Sequence, residues 1–241
     1  MRGFCFFLGL FLIVACSTEE TESAEGDCYA SVLEEAWDDA ITCFENGGFE
    51  ESPAQDKPAE DYEYLLQWAG SYGGKYGLAG SGLLSTLGSD DDSNEGSESE
   101  EESSFDFSAQ VRSLTESGQL TLAITQLTRA VALLNAFPAK YRTESSAESV
   151  YYAKDISLIG AIFTAFLVEM QKQDFSNSLS DGTLTQEELV AKADAVLETL
   201  ANGGDIVGDP SLKEAIDKQI SELENQPGDS TAEKLEALIN S

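Results

Sequence analysis

The sequence predicts an all-α fold: a helical bundle with repeat-like helical hairpins and a single disordered acidic loop. Three observations predict it. Apolar residues recur at steps of three and four along most stretches, capping pairs stand where several of those stretches begin, and no run alternates apolar and polar residues long enough for a useful strand. At 241 residues, with 41% apolar and 24% charged, the chain is globular in composition and long enough to bury one or two cores.

The first segment carries Arg2, an apolar block from Phe4 to Val14, and then Ile13-Val14-Ala15-Cys16. This apolar run is shorter than the ~20 residues that a spanning helix needs. A basic start, a short apolar stretch and a small residue before a cysteine resemble a bacterial lipoprotein signal. The resemblance implies that residues 1–15 are removed and that Cys16 takes a diacylglycerol and further acyl chains, enough to hold the protein on a membrane. It also implies a location outside the cytoplasm, and Ser17 rather than Asp after the cysteine points to the outer membrane, facing the periplasm. Residues 16–26 then read as the acylated cysteine and a small, acidic, flexible tether.

The N-terminal helical segment spans residues 27–88. Tyr29, Val32, Leu33, Ala36, Trp37, Ala40, Ile41 and Phe44 form an amphipathic helical pattern that closes at Asn46-Gly47-Gly48. It contains Cys28 and Cys43, the two cysteines left once Cys5 and Cys16 are accounted for, in a compartment that oxidises thiols. On one straight helix their Cα atoms would stand ~22 Å apart, whereas a disulfide needs roughly 4.4–6.8 Å. One disulfide, Cys28 to Cys43, is expected; either the chain reverses between them or they are not bonded to each other, and closing that loop contributes ~3 kcal/mol in the chain-entropy model.

A second helix is expected from about Ala59, with Tyr62, Leu65, Leu66, Ala69 and Tyr72 on one face. It runs into glycines at 70, 73, 74, 77, 80 and 82, which read first as sites of close helix approach and otherwise as a flexible or ligand-contacting loop. Residues 89–104 hold eight acids and no apolar side chain, a composition that cannot offset the entropy of ordering.

The C-terminal helical segment, residues 105–241, is expected to pack with 27–88 as one domain. Leu120, Ile124, Leu127, Val131 and Leu134 make a face ended by Pro138. The run from Ser146 to Lys172 is apolar nearly all round, as in the middle of a bundle. Thr185 with Glu188 opens a helix expected to close at Asn202-Gly203-Gly204. Asp209-Pro210 begins another, and Ser230 with Glu233 caps the last.

Forty-five acidic against thirteen basic residues give a formal charge of −32, a field that repels phosphate backbones and anionic headgroups. Nucleic-acid binding is therefore not expected. The chain contains no histidine, which removes the commonest general base and transition-metal ligand, and serine–histidine or cysteine–histidine catalysis with it. Asn177, Asp181 and Glu188, with Gly182 between them, match a degenerate calcium loop. Leu179 offers no oxygen at its third position, so the stretch reads first as a turn into the capped helix and calcium is not expected to bind. No cofactor is expected beyond the lipid on Cys16.

Trp37-Asp38-Asp39-Ala40-Ile41-Thr42-Cys43-Phe44 resembles the second helix of a tetratricopeptide repeat, in which small residues let paired helices approach and aromatics fill between them. Together with the lipoprotein signal and the Tyr- and Gly-rich helix that follows, it is loosely similar to repeat-containing lipoprotein components of periplasmic transporters. That resemblance implies a non-catalytic scaffold for a protein partner. Tyr62, Trp68, Tyr72 and Tyr76 are candidate contact residues because aromatics among glycines suit recognition, and plain core packing is the other reading of them. The alternative is a small-molecule or lipid carrier, its apolar cavity lined by Ile156 to Met170.

Overall fold

Caps, turn glycines and prolines divide the chain into helices. The computed structural model describes residues 24–78, 107–142 and 147–241, so the lipoprotein-like signal, Cys16 and the acidic loop lie outside the described residues. Among the described residues there is no strand and there are ten α-helices: α1 Ala24–Leu33, α2 Trp37–Asn46, α3 Glu63–Lys75, α4 Phe107–Glu116, α5 Leu120–Ala136, α6 Ala139–Arg142, α7 Ala147–Asp181, α8 Gln186–Ile206, α9 Pro210–Glu224 and α10 Thr231–Ile239. A 3-10 turn, Ala59–Tyr62, precedes α3.

The chain forms two compact units that meet in sequence between Phe49 and Glu50. The sequence set 27–88 in one segment packed with 105–241; the boundary between units falls after Phe49. Helix α3 belongs with the C-terminal helices because its apolar face packs on α5.

In the first unit, α1 and α2 are paired as a hairpin. The backbone turns at Glu34-Glu35-Ala36, with Glu35 at φ 57° and the Ala36 N–H donating to Ser31 O at 2.9 Å. Cys28 and Val32 of α1 and Ala40, Ile41 and Phe44 of α2 are buried. The Phe44 ring meets Tyr29 and Phe49 edge-on at centroid distances of 6.1 and 5.3 Å.

The second unit is built round α7, which packs against α3, α4, α5, α6, α8 and α10. Its 35 residues make a rod of ~52 Å. Helix α8 lies along it, and Val168 and Phe175 of α7 share a core with Ala193, Val196 and Leu200 of α8, Ile216 and Leu223 of α9, and Leu235 of α10.

Helix starts follow the local chemistry. Thr185 and Ser230 form reciprocal capping boxes with Glu188 and Glu233. The Asp209 carboxylate accepts from the Ser211 and Leu212 N–H groups at 2.9 and 3.0 Å, with Pro210 in the first turn. Helix α5 stops where Pro138 drives Phe137 into extended backbone at ψ 132°.

Two ends differ from expectation. Helix α7 runs past Lys172 to Asp181, and α8 runs through Asn202-Gly203-Gly204 to Ile206. The reason for the second is tertiary. A Cβ at Gly203 would lie 2.4 Å from Thr164 Cγ2, and one at Gly160 would lie 2.6 Å from Ile206 Cγ2. These glycines let α7 and α8 approach closely; they do not terminate α8.

Candidate functional site

The aromatic row expected to meet a partner lies along the 3-10 turn and α3, and it is core. Tyr62, Trp68, Tyr72 and Tyr76 are 0, 1, 1 and 3% exposed, which corrects their assignment as a recognition surface. The glycines among them explain the burial. At Gly73 a Cβ would stand 2.3 Å from the Phe163 ring, so the missing side chain admits α7, and the aromatics fill the remaining space. The hydroxyls of two of them, Tyr62 and Tyr76, are bonded internally. The Tyr62 hydroxyl donates to Ala54 O at 2.6 Å and accepts from Lys57 N–H at 3.0 Å, and the Tyr76 hydroxyl donates to Gln126. The Tyr62 ring packs on Phe137 and Tyr141, at 5.6 and 6.2 Å.

Over this row sits Arg129 of α5. Its guanidinium lies 5.0 Å from the Trp68 ring centroid and 5.9 Å from that of Tyr72, while its Nε donates to Glu51 at 3.1 Å and Nη2 pairs with the same carboxylate. The result is a clasp that binds the loop at Glu51 to α5. The reading of the sequence missed it. The available signal was the rarity of cations: among thirteen lysines and arginines, an arginine inside an otherwise neutral helix stands out.

No protein-family model matches the chain, and no curated protein or solved structure gives a significant match.

The stretch with the degenerate calcium pattern is a helix end, a glycine turn and a cap. Asn177 and Asp181 stand in the last turns of α7, where a calcium loop would need irregular backbone. Asn177 Oδ1 accepts from Gln173 Nε2 at 2.8 Å. Glu188 serves as a cap: its carboxylate accepts from Thr185 N–H and Oγ1 at 2.8 and 2.9 Å, and these bonds hold it below the usual carboxylate range. Gly182 makes the turn at φ +60°, a conformation suited to glycine. Among the described residues, no group of three or more histidine, cysteine or acidic side chains could hold a metal ion.

Along the central helix, Ile156, Phe163, Phe166, Leu167 and Met170 are each at most 2% exposed. Phe163 seats on Gly73 and Phe166 stacks on Phe107 at 5.5 Å, so these side chains meet neighbouring helices. A cleft of about 230 Å³ lies further toward the start of α7, bordered by Lys154, Ser157, Leu158, Gly208 and Asp209. Hydrogen bonds hold the chain beside it. Ser157 Oγ accepts from Gly208 N–H at 2.9 Å, and Arg142 Nη1 donates to Asn135 Oδ1 at 2.6 Å and to Asp205 O at 2.9 Å. Burial pushes the Arg142 guanidinium down, with the Asp205 carboxylate opposing, and burial pushes the Asp155 carboxyl up.

In the first unit the two cysteines are joined. Cys28 and Cys43 form a disulfide with Cα atoms 5.3 Å apart, the separation that a chain reversal between them makes possible. No described helix is long and apolar enough to cross a membrane.

Proposed function

We propose that this chain is a lipid-anchored, non-catalytic helical scaffold that binds a protein partner at a membrane face outside the cytoplasm, in the periplasm or at the outer membrane. The observation that carries the reading is the Cys28–Cys43 disulfide, a bond that persists in oxidising compartments. The Ile13-Val14-Ala15-Cys16 pattern supports the anchor, and the paired helices of the first unit are compatible with a repeat-like hairpin. The absence of histidine from the sequence supports a binding role over acid–base or nucleophilic chemistry. Because the aromatic row is core, contact with a partner falls to the exposed outer faces of the helices. The carrier alternative gains no support from Ile156 to Met170, whose large apolar side chains pack against other helices.

The test is metabolic labelling with an alkyne fatty acid in the native cell, followed by crosslinking. The wild-type chain should carry label and partition into detergent, and Cys16→Ser should do neither. Crosslinking should then recover a protein. An unlabelled chain that retains residues 1–15 refutes the anchor, and recovery of bound lipid without any protein refutes the scaffold.

A further inference from the structure

In the hairpin of residues 24–49, the described part of the first unit, few side chains are buried. Helices α1 and α2 have ten residues each, below the ~12–15 at which isolated helices become more than marginal in water. Folded units under ~40 residues commonly depend on a disulfide, a metal or a partner. The buried side chains here are few: Cys28, Val32, Ala40, Ile41 and Phe44. The segment carries seven carboxylates, from Glu25 to Glu45, and neither lysine nor arginine, so no cation of its own relieves their repulsion. Helix α2 begins at Ala36 with no side-chain cap, and the turn holds Glu35 in the left-handed region that side chains adopt at a cost.

We propose that this hairpin is a redox-conditional module. With Cys28 and Cys43 bonded it is folded; when a dithiol reduces them it unfolds locally, while residues 50–241 keep their structure. The exchange balances simply. One thiolate of the dithiol attacks Cys43, half-buried where Cys28 is wholly buried, and forms a mixed disulfide as the Cys28 thiolate leaves. The second thiolate of the reductant then displaces Cys43. Two electrons and two protons end on the protein as two thiols, and the reductant departs as its own disulfide. Removing the cross-link of this short loop shifts the folding equilibrium of the unit by about a hundredfold in the chain-entropy model. A hairpin with five buried apolar side chains among its described residues has small reserve against such a change. One consequence rests on the anchored reading above: melting adds 26 unfolded residues between Cys16 and Glu50, with a root-mean-square span of about 28 Å. The switch itself does not depend on acylation.

Hydrogen exchange read by mass spectrometry on the full chain tests it, comparing oxidised protein with protein reduced by dithiothreitol at neutral pH. Peptides within 24–49 are expected to be protected when oxidised and to lose about a hundredfold in protection on reduction, while peptides from α5 and α8 stay unchanged. The Cys28→Ala, Cys43→Ala double variant should show the same open hairpin without reductant. Three results overturn the proposal: a hairpin that stays protected after reduction, one unprotected while oxidised, or a loss of protection that spreads to α5 and α8. Acylation of Cys16 enters none of these readouts, so its failure and the failure of the switch are told apart.

Discussion

The hairpin of residues 24–49 and the helical body from Glu50 onward share one chain and one strong acidity, yet they are held by different means. In the hairpin, seven acids and no lysine or arginine accompany five buried apolar side chains among the described residues, and a covalent tie joins the two helices. In the body, a 35-residue helix is packed by its neighbours, and several of the scarce cations join separate segments. Arg129 clasps Glu51, and Lys192 pairs with Asp174 across α7 and α8. Lys213 and Lys234 donate to Gly204 O and Glu224 O at 3.1 and 2.8 Å, on the carbonyls at the ends of α8 and α9, where a cation also complements the helix dipole. The comparison teaches that in a chain of formal charge −32 a base does most as a donor to a particular oxygen, and that a segment lacking bases relies on another kind of link.

The sharpest way to break the comparison is to empty the core of the body. Phe166→Ala removes a ring that is 0% exposed and stacked on Phe107, and should cost the body about 3–5 kcal/mol in urea unfolding. Hairpin amides should keep their protection in the same sample; if they lose it at low urea, the two units are not independent in stability.

Next in size, Gly203→Ala places a methyl against Thr164 and should destabilise the body by about 1–3 kcal/mol. A neutral result would mean that α7 and α8 can separate at that crossing without cost.

The clasp should matter less. Arg129 and Glu51 are a third and a half exposed, so Arg129→Met should cost about 1 kcal/mol, with the double variant that adds Glu51→Gln showing a coupling below that. Salt gives a related contrast: raising sodium chloride should protect hairpin amides more than those of α8, since only the hairpin lacks internal cations.

The smallest effects are two pH dependences of opposite sign within the body. Burial raises the folded-state pKa of Asp155, so its contribution to stability is full below the unfolded carboxyl pKa and is lost as pH rises through the folded value. Asp155→Asn should therefore stabilise the body at neutral pH and make no difference well below the carboxylate range. Glu188 is lowered by its bonds to Thr185, so its contribution is present above the unfolded pKa and is lost as pH falls through the folded one. The stability difference between wild type and Thr185→Ala, measured by thermal melting, should shrink toward acid pH.

Much of the fold was legible because it was local. Thr185 with Glu188, Ser230 with Glu233, Asp209-Pro210 and Pro138 each act within a few residues, and each marks a real helix end. The cysteine spacing required a reversal if the two are bonded, and the hairpin supplies it. The candidate site was far less legible. Tyr62, Trp68, Tyr72 and Tyr76 suit a surface or a core equally well by side-chain chemistry, and their fate depends on Phe163 approaching Gly73 from about ninety positions away in the chain. The same holds for Gly203-Gly204, which look like a helix stop until Thr164 is placed opposite Gly203.

By itself, then, the amino-acid order determined the all-α class, the capped helix starts, the acidity and the need for a turn between Cys28 and Cys43, since propensity, capping and charge are properties of neighbouring residues. Tertiary structure alone decided which glycines are contact points, which aromatics are interior, and which cation meets which oxygen. Those outcomes depend on the close packing of segments distant in the chain, where a single methyl group more or less changes how two helices can meet.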